Sequence, residues 1–107
     1  EIGRQVDAIL ARYDAIVAPT SRSVAQPPHL LRGGEQAEDR PPDYMGAIGN
    51  ACGLPAISVP SGFSEEGLPT GIQFLGRAYD ENAVIAVARA YQALTDWHTR
   101  HPQDVGI

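Results

Sequence analysis

The sequence predicts an α/β fold of about three strands and two to three helices. Three observations carry that expectation: apolar stripes at helical spacing near both ends, short apolar runs each closed by proline, and the punctuated stretch NACGLPAISVPSGFSEEGLPTGIQFLGR from Asn50 to Arg77. An apolar content of 43% and a charged content of 20% are ordinary for a globular protein, while 11 Gly and 9 Pro require many turns. At 107 residues the chain is one domain at most. Folding at this size buries only about two-thirds of the unfolded surface, so the core has to be compact.

In the first segment Ile2, Val6, Ile9, Leu10 and Tyr13 recur at intervals that place them on one helical stripe, and the helix is expected to end near Tyr13. Ala15 to Ala18 is a continuous small apolar run closed by Pro19, which suits a strand buried on both faces. Residues 21–43 show no period of 2 or 3.6, and six Pro and Gly residues interrupt them, so they read as a long irregular loop. A connection of that length usually marks a functional excursion or contact with chain lying elsewhere.

Tyr44 to Cys52 is short and carries Gly46 and Gly49, which suits a tight helix with one face open to close approach, ended by Leu54 and Pro55. Ala56 to Pro60 then reads as a second buried strand, closed by Pro60 because proline cannot donate to a central ladder. The turn from Gly62 to Leu68 exposes Glu65 and Glu66, and Thr70 to Leu75 returns as a third strand in an antiparallel hairpin. Asp80 is placed to cap a last helix, with Glu81 at its positive end. Val84, Val87, Ala88, Tyr91 and Leu94 form the buried stripe of that helix, and Pro102 forbids its continuation.

A formal charge of −5 and scattered arginines argue against nucleic acid, which requires clustered positive charge to displace counterions. No apolar run approaches the ~20 residues that span a bilayer, so a membrane is not an expected partner and the cytoplasm is the expected location. One cysteine, Cys52, excludes an internal disulfide framework and a multi-cysteine metal site.

All eight basic residues are arginine, so no lysine is present to serve as a base. Ser58, Ser61 and Ser64 lie in and after the second strand, in neither a Gly-x-Ser-x-Gly turn nor a Ser-x-x-Lys arrangement. A hydroxyl is weakly nucleophilic without a positioned base, so these serines read as strand and turn packing. His98 and His101 stand three residues apart and could share a metal only if the helix persisted and His29 or another ligand joined them; a solvated terminus accounts for them better. Cys52 reads as a small buried hydrophobe. Gly67, Gly71 and Gly76 match no phosphate-binding fingerprint, and Gly71 marks close packing or a bulge. Asp43, Asn50 and Arg77 are polar residues beside structured elements where a substrate could meet them, although a cap or loop hydrogen bond explains each.

Taken in order, Asn50, Gly53-Leu54-Pro55-Ala56-Ile57-Ser58-Val59-Pro60, Gly62-Phe63, the run from Gly67 to Arg77, Asp80-Glu81 and Asp96-Trp97-His98 resemble the C-terminal part of the amidase-signature family. Tyr13 to Thr20 is similar to the strand that precedes them in that family. The resemblance implies a serine amidohydrolase: an α/β domain whose mixed sheet is flanked by helices, without cofactor or metal. Its Ser-cis-Ser-Lys triad uses lysine as general base through the middle serine. With no lysine here, no catalytic residue transfers to this sequence, and the triad is expected outside it. The opening at Glu1, directly in helical periodicity, is likewise read as an excised piece, a single C-terminal segment.

The partners implied are the missing N-terminal catalytic part, a small amide substrate in the intact enzyme, and a second copy through core surface left bare. Asp43, seven residues before Asn50, is similar in position to an acidic residue that recognises the substrate amino group in the tRNA-dependent amidotransferase branch. The ending from Asp96 to Pro102 looks more like the general amidases. A free-standing binding or interaction module on the same scaffold is the alternative, and a small metal-dependent hydrolase using His29, His98 and His101 is a third reading.

Overall fold

A computed structural model describes residues 2–21, 24–25 and 44–103. Most of the expected loop at 21–43, including His29 and Asp43, lies outside the described residues. In chain order the elements are α1 (Ile2–Leu10), β1 (Ile16–Pro19), α2 (Tyr44–Cys52), β2 (Ala56–Phe63), β3 (Pro69–Leu75), α3 (Glu81–Leu94) and a 3₁₀ turn (Trp97–Thr99). The strands form one sheet in the order β1-β3-β2, antiparallel throughout. The expected α/β class, three strands and three helices, is therefore the class observed.

Ladder phase explains the arrangement. Thr20 donates its amide to the Gly71 carbonyl and Gly76 donates to the Pro55 carbonyl. Successive residues of an antiparallel strand turn their polar groups to opposite sides. Gly71, Gln73 and Leu75 therefore serve β1, while Ile72 and Phe74 serve β2. On the outer strands the same phase turns Val17 away from β3 on one edge, and Ala56, Ser58 and Pro60 away from it on the other.

Pro60 thus sits where no amide is owed to β3. This corrects the expectation that Pro60 closes the strand: β2 continues to Phe63, with a register irregularity between Pro60 and Gly62. Proline is excluded from central ladders, and here β2 is an outer strand.

Side-chain alternation gives the sheet two different faces. On one, Val59 and Phe74 pack with Ala88 of α3, joined by Ile57, Ile72, Val87 and Tyr91. The Phe74 and Tyr91 rings lie 5.9 Å apart in a tilted pair. Asp80 caps α3 as expected, its carboxylate accepting the Ala83 amide at 3.3 Å. Gly76 lets α3 approach, since a Cβ there would lie 2.6 Å from Val84 Cγ1.

On the other face Leu75 is fully buried, and the position of a Gly49 Cβ would be 3.7 Å from its Cδ2. The small face expected of α2 is used there. α2 ends with Gly53 at φ +66 and the Leu54 amide bonded to the Gly49 carbonyl at 3.0 Å, a Schellman closure that favours glycine. α1 lies against α2, and its buried residues are Val6 and Leu10.

Further expectations are corrected. α1 ends at Leu10 rather than near Tyr13, although the Tyr13 amide still reaches the Ile9 carbonyl at 3.1 Å. The α1 stripe is buried only in part, with Ile2 57%, Ile9 45% and Tyr13 58% exposed. β1 alternates half-buried and exposed residues instead of being covered on both faces, because it is an outer strand of this sheet. At the far end α3 stops when Thr95 turns extended, and Leu94, expected on the buried stripe, is exposed. Among the described residues no helix is long and apolar enough to cross a membrane.

Candidate functional site

A concavity lies where β1 runs out. It has a volume of about 590 Å³ and is lined by residues 17–21 of β1 and its exit, Val24, Ala25, Ser61 and residues 69–72. Its walls are apolar at Val17, Pro19, Val24 and Ile72 and carry hydroxyls at Thr20, Ser61 and Thr70. No charged side chain appears among the described lining residues.

The hydroxyls are organised by a missing side chain. Gly71 stands on β3 between Thr20 and Ser58, and a Cβ there would fall 2.8 Å from Thr20 Oγ1 and 3.2 Å from Ser58 Oγ. With hydrogen in its place, Thr20 Oγ1 and Ser58 Oγ meet across the central strand at 2.5 Å. Gly71 therefore marks close packing, one of the two roles its sequence position allows. On the opposite face of the sheet by alternation, Ser61 Oγ and Thr70 Oγ1 bond at 3.0 Å across the β2–β3 hairpin.

Two hydroxyls that bond each other use one of their two protons, so each pair keeps one O–H to donate elsewhere. The pocket can therefore receive a neutral ligand with an acceptor oxygen and an apolar body. Among the described residues no basic side chain stands beside these two hydroxyl pairs, so neither pair is equipped to activate a nucleophile.

Gln73 is the one buried polar residue among those described, 7% exposed, and its Nε2 donates to the Pro19 carbonyl at 3.3 Å. That bond satisfies a group whose burial would otherwise be costly, and it fixes the end of β1. Thr20, Thr70 and Gln73 were not singled out by sequence reasoning. Alternation places Gly71 and Gln73 on one face, a usable signal, but a threonine beside a strand is too common to stand out.

The residues singled out from sequence separate widely. Ser58 and Ser61 join the hydroxyl pairs, while Ser64 Oγ donates to Glu66 Oε2 at 3.0 Å in the exposed turn. Glu65 and Glu66 are solvated there. Asn50 is exposed on α2 and Cys52 is half-buried with a free thiol. Arg77 braces a junction: Nη2 donates to the Tyr13 carbonyl at 3.0 Å, and Nη1 stands 3.8 Å from Asp80 Oδ2. Asp43 lies outside the described residues.

His98 and His101 are exposed and share no helical face, since the turn Trp97–Thr99 gives way to extended backbone at Arg100. No group of three potential metal ligands occurs among the described residues. Arg100 instead serves Asp96, bonding Oδ2 at 2.9 Å and holding that carboxyl below the usual carboxylate range.

Comparison with known proteins agrees with this architecture. The family model described as Amidase matches residues 1–85. A glutamyl-tRNA(Gln) amidotransferase subunit of Brevibacillus brevis is 43% identical over 101 residues, covering 91% of this chain and 20% of the relative. The corresponding subunit of Chloroflexus aurantiacus is 40% identical over 106 residues, covering 95% of this chain and again 20% of the relative.

Among solved structures, the corresponding subunit of Thermotoga maritima superposes with a TM-score of 0.77 at 34% identity, over 88% of this chain and 20% of that one. The native peptide amidase of Stenotrophomonas maltophilia superposes with a TM-score of 0.74, also at 34% identity, over 99% of this chain and 20% of that one. The chain thus spans about one-fifth of the length of the relatives it matches. With the family model covering most of its residues, and with two such different enzymes sharing its fold and sequence equally, the chain belongs to the amidase family.

Proposed function

We propose that residues 1–107 are the C-terminal structural part of a serine amidohydrolase, which hydrolyses a carboxamide with a Ser-cis-Ser-Lys triad lying outside this chain. The absence of any lysine carries this reading. A serine hydroxyl attacking a carboxamide must hand over its proton, and the base the family uses for that step is missing. The span of one-fifth of the relatives' length and the pairing of Ser58 and Ser61 with threonines support the same division of labour.

In the intact enzyme this part contributes strands and helices to the shared mixed sheet. The uncharged pocket beside β1 supplies one wall for the acyl portion of a small amide, with the spare hydroxyl protons facing it. Asp43 is assigned, through the resemblance alone, to the substrate's amino group. The enzyme works in the cytoplasm without nucleic acid, membrane, metal or cofactor, and the rest of the same protein is its obligatory partner.

Purified residues 1–107, assayed against a panel of linear carboxamides by ammonia release, should show no turnover. Adding the remaining part of the enzyme should restore it. Appreciable, metal-independent turnover by the 107-residue chain alone would overturn the proposal, and saturable ligand binding by a stable monomer that ignores the remaining part would favour a binding module.

A further inference from the structure

Thr20 follows β1 and lines the pocket, and it is fixed from three directions. Its amide donates to the Gly71 carbonyl at 2.9 Å, which carries the ladder one residue past the strand. The carbonyl just before it, on Pro19, accepts Gln73 Nε2 at 3.3 Å. Its hydroxyl meets Ser58 Oγ over Gly71, in space that a Cβ at that position would obstruct. These anchors lie on β3 and β2, so Thr20 Oγ1 keeps one place although β1 itself has ended.

The two hydroxyls of that bridge are not alike. Thr20 is half-buried and lines the pocket, whereas Ser58 is exposed and does not line it, so solvent meets the remaining hydrogen-bonding capacity of Ser58. When Ser58 donates to Thr20, the Thr20 proton is left over. The Pro19 and Gly71 carbonyls beside it already accept other donors, and the side chains of Val17, Pro19 and Ile72 in the pocket wall offer no acceptor. A fixed O–H in such surroundings favours a ligand that brings its own acceptor, and it discriminates against the isostere that lacks one.

Resting on the proposed function, we propose that Thr20 is a specificity-determining residue whose hydroxyl donates to a neutral oxygen in the acyl portion of the substrate. That oxygen is separate from the carboxamide, because the carbonyl that is cleaved has to lie beside a nucleophile and these hydroxyl pairs supply none. Ser58 is a positioning residue that acts through Thr20. The substrate class is a linear amide whose acyl chain carries an ether or hydroxyl oxygen.

The test uses the intact enzyme and matched amides in which one ether oxygen replaces one methylene. Methoxyacetamide is compared with butanamide, and the homologue with one more methylene before the ether is compared with pentanamide. The ether member of at least one pair should have the higher kcat/KM. Thr20→Val keeps the shape of the side chain and removes the hydroxyl, so it should lower that preference by about 3- to 10-fold. Thr20→Ser should restore it. Ser58→Ala should lower it by a smaller factor, through KM and not through kcat, while Ser64→Ala in the exposed turn should not move it.

Equal kcat/KM within both pairs in the unaltered enzyme would overturn the assignment. So would a preference that Thr20→Val leaves intact or that Thr20→Ser fails to restore. Where Thr20→Val does not fold, the other two variants decide: Thr20→Ser has to keep the preference and Ser58→Ala has to lower it. An intact protein that turns over no linear carboxamide refutes the proposed function itself. An active amidase that neither cleaves these amides nor is competitively inhibited by them refutes only the role of Thr20.

Discussion

The region packed under α3 and the region that leads through α1 into β1 are both built from apolar sequence, yet only the first closes on itself. Under α3, Val59, Phe74 and Ala88 are buried, and the hairpin supplies both strands that the helix covers. Along α1 and β1, Ile2, Ile9, Tyr13 and Val17 remain near half exposed or more. The helices of both stretches are legible from their periodicity, and β1 from its continuous apolar run. Their difference lies in whether the covering partner falls within the same 107 residues.

The largest expected effect breaks the closed side. Phe74→Ala removes a ring that is 4% exposed and packed against Tyr91, and should destabilise the chain by about 3–5 kcal/mol. Val17→Ala, on the open side, should change stability of the isolated chain by no more than about 0.5 kcal/mol. Urea unfolding of the two variants measures both. Equal losses would mean that Val17 already has a partner within this chain.

How far each side is legible in the sequence follows from the range of the interactions involved. The hairpin is encoded locally: Pro69 and Thr70 lie a few residues beyond Phe63, so the turn and the alternation together fix the pairing. The Asp80 cap and the Gly53 closure are likewise decided within about one turn of chain. Placing β1 beside β3 instead depends on residues more than 50 positions apart, such as Ala18 and Gln73, and no local pattern reports that pairing.

The candidate site is legible only at Gly71 and at the serines, because a hydroxyl pair between Thr20 and Ser58 exists only once β1 and β2 flank the same strand. Pro60 differs between sequence and structure for the same reason. A proline's compatibility with a strand depends on which way its missing amide would have pointed.

Gly71 joins the two sides, and its substitution is the next effect in size. Gly71→Ala puts a methyl 2.8 Å from Thr20 Oγ1 and 3.2 Å from both Thr20 Cβ and Ser58 Oγ, so the hydroxyl bridge has to open. Overpacking of this kind costs about 1–3 kcal/mol. Thr20→Ala added to it should recover part of the loss by removing the nearest atom, while Gly71→Ala with Val17→Ala should be additive. A double-mutant cycle by urea unfolding distinguishes the two, and an absence of recovery would show that the methyl is resisted by the backbone of β1 instead of by the hydroxyl.

The smallest effect probes how the closed side finishes its edge. Asp96 bonds Arg100, whose guanidinium lies 5.0 Å over the Trp97 ring, so the ion pair reports whether the turn stays against Gly62 and Phe63. The hydrogen bond from Arg100 favours the ionised carboxylate and lowers its pKa. A carboxyl with a depressed folded pKa adds stability above its unfolded pKa and loses it as pH falls through the folded one. The dependence therefore belongs to the acid range below the usual carboxylate value, and stability near neutrality should not respond. Because the pair is solvent-exposed, salt should screen even that small contribution. NMR titration of the Asp96 carboxyl should give a midpoint below the usual range, moving up in Arg100→Gln. An ordinary midpoint with Arg100 present would mean that the Asp96–Arg100 hydrogen bond is not held in solution.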